Sequence, residues 1–253
     1  PNFLFQQLQK SQNYKIYILL THSTNQLEKT LSDLHGKSDA CLIGNATSGI
    51  TMALNAAGIK NKKVAIPNNI CINVPMAVIY SGNEPLYLDI SEDDLGLDPK
   101  QLIEHINEIS AVIAVHAYGI TCQITAIQNI CKLNNVFLIE DCAVAQGASV
   151  NAKPVGSFGD ISVVSFGVGK IIDHGHGGAI LSDDLYIITK IRNLMNMLPG
   201  HNPSNKEPLQ KFYSYHTDLY NNYSVCSLET QQWSKQFYQP FCEESFLKSL
   251  KNA

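Results

Sequence analysis

From Val64 onward the chain alternates short apolar runs with amphipathic stretches. The runs VAIP (64–67), PLYLDI (85–90), AVIAVH (111–116), VFLIED (136–141), ISVVSF (161–166) and GAILSD (178–183) are mostly continuous and rich in β-branched residues. That pattern is expected of strands buried on both faces. Between and before them lie helical stripes: Ile50, Ala53, Leu54 and Ala57 fall at i, i+3, i+4 and i+7, and Ile124, Ile127 and Cys131 give a similar spacing. Asp98, Pro99 and Gln101 have the form of a helix start, with an N-cap acid, a proline at the first helical position and a glutamine at the third. The alternation persists to about residue 184 and predicts an α/β fold, a mixed, mostly parallel sheet flanked by helices.

The flanks read differently. Residues 1–40 form an N-terminal helical segment, in which NQLEKTLSDLHG ends on Gly36 as a C-cap. Residues 41–197 carry the main domain. Residues 198–253 are expected to be a linker and a C-terminal helical segment, since 198–215 hold three prolines among Asn, Ser and Gly before a helical pattern returns at 218.

Composition narrows the partners. With 253 residues, 45% of them hydrophobic, the chain can bury a substantial core. A net charge of −4 with a single arginine, Arg192, argues against nucleic acid. The run IYILL (16–20) is far too short to span a membrane, and the N-terminal residues lack a signal-peptide pattern. The seven cysteines form no CxxC pair and are odd in number, which favours buried free thiols in a reducing, cytoplasmic setting.

In an open α/β sheet, ligands bind beyond the carboxyl ends of the strands. The predicted strands end at His116, Asp141 and Ser165, and Lys170 follows in SFGVGKIIDHGHGGAIL (165–181). An imidazole, an acid, a hydroxyl and an amine thus fall at one edge. Each also has a plainer reading: a surface lysine in a glycine loop, a solvated acid at a strand end, a histidine bonded to backbone. The pair His174 and His176 lacks nearby cysteine or carboxylate support, so no metal is expected.

Five segments in order, NATSGITMALNAAGI, VHAYG, IEDCAVAQGA, VGSFGDISVVSFGVGK and GHGGAILSDD, resemble the DegT/DnrJ/EryC1/StrS family of pyridoxal-phosphate-dependent sugar aminotransferases. The resemblance covers about residues 28–237 and implies the large domain of the fold type I transferases, with pyridoxal 5'-phosphate as cofactor. It implies that Lys170 holds the cofactor aldehyde and shuttles the substrate proton, and that Asp141 pairs with the pyridine nitrogen. Thr47, Ser48 and Ser165 would meet the phosphate, although Thr47 or Ser48 is equally suited to cap its helix. Asn222 matches a residue that reaches the partner's cofactor in a homodimer, with a plain helix cap as the rival. In such a dimer Tyr223 and Trp233 could be interface anchors, with internal packing against residues 1–40 as the rival. His116, Tyr118 and His176 are expected to line the substrate side.

The chain also departs from the family pattern. Cys71 stands where an aromatic residue stacks on the cofactor, Val144 where a glutamine bonds the ring oxygen, and Ser224 where an arginine is usual. Gln146, two residues past Val144, is the candidate to substitute. Most of the family's small C-terminal domain is missing from this sequence. Two functions follow: transfer of an amino group, from glutamate, to a nucleotide-linked keto sugar, or a truncated or degenerate homologue that keeps the fold without turnover. A sugar dehydratase is disfavoured, because related dehydratases carry histidine in place of the lysine.

Overall fold

The computed structural model describes residues 24–197. The linker and C-terminal segment, with Asn222, Tyr223, Ser224 and Trp233, lie outside the described residues, as does the run at 16–20. The order of elements is α1 (Thr24–His35), β1 (Asp39–Ile43), α2 (Ala46–Ala56), β2 (Lys63–Pro67), α3 (Asn73–Tyr80), β3 (Glu84–Leu88), α4 (Pro99–His105), β4 (Ile109–Val115), α5 (Ile124–Asn134), β5 (Phe137–Asp141), β6 (Ser149–Val150), β7 (Lys153–Pro154), β8 (Ile161–Ser165), β9 (Gly178–Ser182) and α6 (Leu185–Met197).

Seven strands form one sheet in the order β1-β9-β8-β5-β4-β2-β3, and β6 and β7 form a separate hairpin. Strands β3, β2, β4, β5 and β8 run parallel, whereas β9 is antiparallel to both neighbours, β8 and β1. The expected mixed, mostly parallel sheet is therefore present. All six predicted strands form. Strand β1 is an addition: the run DACLI closes one edge of the sheet by pairing with β9.

Alternation along the strands explains why their sequences are apolar throughout. Ile113, Ile139, Ile161, Val163 and Ile180 face a core shared with Ile50 and Leu54 of α2, Val78 of α3 and Ile188 of α6. Their neighbours Val112, Ala114 and Leu138 face the opposite way, into a core with Leu102 of α4 and Ile124 and Ile127 of α5. Leu31 of α1 packs on the same side against Val164 and Leu181. With both faces covered, each fully buried Ile or Leu adds about 1.5–3 kcal/mol of transfer free energy.

The helix ends follow local chemistry. The Asp98 side chain accepts from the Lys100 amide, with Pro99 opening α4 as predicted. Gln101, however, bonds Glu104 rather than reaching back, so the capping box is only half made. Gly36 ends α1 at φ +63°, a conformation that costs a residue with a Cβ. Among the described cysteines Cys41, Cys122, Cys131 and Cys142 are buried free thiols and Cys71 is exposed. Burial pushes the Cys41 and Cys131 thiols up to about 11 and about 12. No described helix is long and apolar enough to cross a membrane.

Candidate active site

Strands β4, β5 and β8 run parallel, so their carboxyl ends share one edge of the sheet, and β1, antiparallel to β9 as β8 is, delivers the start of α2 to that same edge. The Gly177 amide donates to the Gly44 carbonyl at 2.9 Å and ties the start of α2 to the loop that carries Lys170. The candidate residues on β1–α2, β4, β5 and β8 are thereby gathered at one edge by topology alone.

At the start of α2, neither Thr47 nor Ser48 is the cap. Asn45 caps the helix, its Oδ1 accepting from the Ser48 amide at 2.8 Å and from the Ser48 hydroxyl at 2.8 Å. The amides of Ala46 and Thr47, in the first turn, have no carbonyl within the helix to meet and face the positive end of its dipole. An anion is favoured there, but the Ser48 amide is already engaged.

Asp141 ends β5 and is buried. Its Oδ1 accepts from the Ala143 amide at 2.9 Å. Burial raises its carboxyl above the ordinary range, opposed by that amide and by the charge of Lys170. A buried carboxylate with little local counter-charge is an attractive seat for a cation. Lys170, half-buried, is the amine that acts on it.

Between Ser165 and Gly178 the chain makes a closed loop. The Phe166 amide donates to the Gly177 carbonyl at 2.9 Å, the His174 amide to the Phe166 carbonyl at 2.9 Å, and the Lys170 amide to the Gly167 carbonyl at 3.2 Å. Asp173 closes it from within, taking the Gly169 amide on Oδ2 and the Gly175 amide on Oδ1, each at 2.9 Å. The Ser165 hydroxyl accepts from the Gly167 amide at 3.3 Å.

Two expected residues are buried. His116 follows β4 directly, its amide meeting the Asp141 carbonyl at 3.3 Å, and it is fully enclosed. Its Nδ1 accepts from the Cys122 amide at 3.1 Å, which leaves the proton on Nε2 to be donated to Glu140 Oε1, also at 3.1 Å. The plainer, structural histidine is the one observed. Gln146 is buried too, and its Nε2 donates to the Ser165 carbonyl at 2.8 Å while its Oε1 finds no partner. That amide braces the β5 loop against the strand leading to Lys170.

The others sit at the surface. Tyr118 is 73% exposed and held at φ +56°, an uncommon conformation for a side-chain-bearing residue. Cys71 is exposed in the loop between β2 and α3. His176 is exposed, its ring 5.4 Å from that of His174.

Glu140 escaped sequence reading. Its buried carboxylate accepts on Oε1 from His116 and from the Gly156 amide at 2.7 Å, and on Oε2 from the Phe158 amide at 2.8 Å and the Gly159 amide at 2.9 Å, while the nearby Ser162 hydroxyl donates to the Gly156 carbonyl at 2.7 Å. Burial pushes this carboxyl up, but the bonds from His116, Gly156 and Gly159 outweigh it and hold it below the usual range. With Cys142, these residues form a trio close enough to hold a metal. Their donor atoms are committed to one another and to backbone, and burial keeps the Cys142 thiol protonated. The only useful sequence signal was period two: Glu140 shares the face of Leu138, opposite to Asp141.

A cleft of about 630 Å³ lies at the opposite edge of the sheet, between Phe137, Asp160 and Asp183. Its buried lysine, Lys37, is already bonded to the Gly159 carbonyl at 2.7 Å and to Asp183 at 3.1 Å. The chemistry gathers at the strand ends, away from this cleft.

Comparison with known proteins identifies the family and the fold. The DegT/DnrJ/EryC1/StrS aminotransferase family matches residues 2–219. GDP-perosamine synthase from Vibrio cholerae is 35% identical over 159 residues, 62% of this chain and 43% of that protein. UDP-4-amino-4,6-dideoxy-N-acetyl-beta-L-altrosamine transaminase from Campylobacter jejuni is 31% identical over 174 residues, 67% of this chain and 46% of the relative. The chain thus spans less than half the length of these curated relatives. Among solved structures, an aminotransferase from Psychrobacter cryohalolentis superposes with a TM-score of 0.66 at 25% identity, covering 70% of this chain and 48% of that one. NtdA from Bacillus subtilis, with bound cofactor PMP, gives 0.61 at 28% identity over 66% and 38%.

Proposed function

Because the chain belongs to the DegT/DnrJ/EryC1/StrS aminotransferase family, we propose that it moves an amino group from an amino-acid donor, glutamate, to a keto sugar carried on a nucleotide, with pyridoxal 5'-phosphate as cofactor. The observation that carries the reading is the buried Asp141 carboxylate, raised by burial and acted on by the charge of Lys170, at the carboxyl edge of a parallel sheet. The residues present fit the cofactor: an anion for a ring N–H, an amine, the positive end of a helix and the Ser165 hydroxyl.

Pyridoxal phosphate, when bound, supplies an aldehyde that combines with amines and a ring that accepts electrons from the substrate carbon. Lys170 would hold that aldehyde and afterwards carry the proton to and from the substrate carbon, an amine's work once it is neutral. Asp141 would accept from the ring nitrogen and keep it protonated. The Thr47 amide and hydroxyl and Ser165 would receive the phosphate at the positive end of α2. The Cys71 thiol would offer the ring face less dispersion area than an aromatic residue. Val144 offers the ring oxygen no donor, and Gln146 has one N–H left after bonding Ser165. Tyr118 and His176, exposed beside the strand ends, line the substrate side.

The site is shared across a symmetric homodimer, with Asn222 supplied by the partner, and the protein works in the cytoplasm, whose reducing conditions suit its free thiols. Mixing purified protein with pyridoxal phosphate, reducing with borohydride and mapping the modified peptide tests the reading. A stable label on Lys170, lost in Lys170→Ala, is expected together with amino transfer to a nucleotide keto sugar. Label scattered over surface lysines would overturn it. A second reading, a homologue that binds cofactor without turnover, is favoured by the engagement of Gln146 with backbone at the place where Val144 leaves a donor missing. Labelling of Lys170 without any amino transfer would select it.

A further inference from the structure

The Lys170 loop holds left-handed glycines at 169, 175 and 177, with φ of +76°, +83° and +97°. Such residues gain the most freedom when a loop opens, so a reactive amine placed among them is poorly fixed by its own backbone. The backbone bonds of the loop secure its two ends, at Phe166–Gly177 and Phe166–His174, and at the tip the Lys170 amide reaches the Gly167 carbonyl at a longer 3.2 Å. A side chain supplies the two shorter bonds there. Asp173 spends one carboxylate oxygen on the amide immediately before Lys170 and the other on the Gly175 amide.

Resting on the reading of Lys170 given above, we propose that Asp173 is the positioning residue for Lys170: its carboxylate, bonded to the amides of Gly169 and Gly175, holds the glycine loop in the one shape that presents the amine to the cofactor beside Asp141. Three features make this more than an ordinary turn. The two bonds are charge-assisted and therefore stronger than neutral ones. They straddle Lys170 in sequence, so loss of either frees the residue from one side. Both oxygens are needed at once, which an amide side chain cannot supply, because asparagine has a single acceptor oxygen. An amine that is fixed in place before the cofactor arrives avoids the entropy loss of ordering the loop during attack.

The test compares wild type, Asp173→Ala and Asp173→Asn in the full chain. In protein without added cofactor, amide hydrogen exchange is followed across residues 166–177. Each charge-assisted bond is worth roughly tenfold in the local opening equilibrium, so exchange at the loop tip should rise about tenfold in the asparagine variant and up to about a hundredfold in the alanine variant. Strands β8 and β9 should be unchanged. In parallel, the rate at which pyridoxal phosphate becomes fixed on Lys170 under borohydride should fall in the same order, with asparagine giving partial rescue. Its pH profile should keep its shape, because position rather than basicity is altered. Unchanged tip exchange or unchanged labelling in Asp173→Ala would overturn the proposal for Asp173 alone. Absence of Lys170 label in the wild type would overturn the lysine assignment and this role with it. If Asp173→Ala fails to fold, the asparagine variant decides: a rate equal to wild type refutes the clamp, and an intermediate rate supports it.

Discussion

Replacing Glu140 by glutamine keeps the shape of the side chain and changes only its bonding, which makes it an informative perturbation. Four donors converge on the carboxylate: His116 and the Gly156 amide on one oxygen, the Phe158 and Gly159 amides on the other. Whichever oxygen becomes the amide nitrogen, it then faces at least two of them. His116 gives no relief by exchanging its proton, because its Nδ1 is occupied by the Cys122 amide. Two buried donors are stranded, each at about 1–3 kcal/mol, and the remaining bonds lose their charge assistance. The expected loss is about 3–5 kcal/mol, the size seen when one partner of a buried ionic group is removed. At roughly 2–4 °C per kcal/mol for a domain of this size, the thermal midpoint should drop by about 6–20 °C. Urea unfolding should show a lower midpoint with an unchanged slope, since the exposed area on unfolding stays the same. A loss under about 1 kcal/mol would refute the reasoning, because hydrogen bonds of this number and burial cannot then be what holds the 156–159 turn to β5.

Gly159→Ala should be destabilising by about 1–3 kcal/mol, since a Cβ there would sit 2.4 Å from the Ile161 carbonyl oxygen and 2.9 Å from Glu140 Cβ, and a wild-type urea midpoint would contradict the packing described. Buried His35 donates Nδ1–H to the Val155 carbonyl, and desolvation lowers its pKa, so below about pH 6.5 the unfolded chain binds more protons than the folded one. Stability should therefore decline as pH falls from about 6.5 toward the lowered value and lie flat above about pH 6.5; His35→Gln should remove that slope, and an identical pH profile in the variant would exclude His35 as its source. For Asp141 the sign is opposite: burial raises its carboxyl, so its charge weighs against the cofactor-free fold at neutral pH. Asp141→Asn should thus melt at or above the wild-type temperature without cofactor while losing amino transfer, and a clear fall in midpoint would show the carboxylate to be stabilising.

The strands were legible because both faces of the sheet are covered, which makes each run apolar without gaps, as in Ile161 to Ser165. Strand β1 was not, for only three residues separate it from the preceding helix, and it carries a charged and two small or polar residues, Asp39, Ala40 and Cys41, in place of a β-branched run. Helix α3 hid for a different reason: NVPMAVIY mixes β-branched residues with a proline, and no side chain caps its start. At the site, residue types at strand ends could be read, since topology delivers them to one edge whatever their contacts. Their bonding could not. Asn45, Thr47 and Ser48 are all good caps by type, and only the position of the first helical residue selects Asn45. Gln146 lay at a plausible spacing, yet its direction was set by the Ser165 carbonyl on a strand 19 residues later.

The position of the one arginine bears on donor recognition. Arg192 of α6 donates to both oxygens of Asp39, to Glu28 and to the Ala40 carbonyl, and so clamps α1, the start of β1 and α6 together. Strand β1 runs away from that clamp toward the start of α2, so Arg192 sits at the end of the sheet opposite to Lys170 and Asp141. Under the proposed reading, a donor amino acid arriving at the strand ends would meet no guanidinium fork from Arg192, the arrangement that best matches a carboxylate in shape and charge. Among the described residues, the groups left to meet its carboxylate are less directional ones, hydroxyls, amides or a lysine. A sugar acceptor would be under no such constraint, because a sugar is read through neutral hydroxyls and apolar ring faces. The exposed Tyr118, Ile120 and Ile171 beside the polar strand ends provide surface of that mixed kind. The described part of the site is thus better furnished for the sugar than for the amino acid.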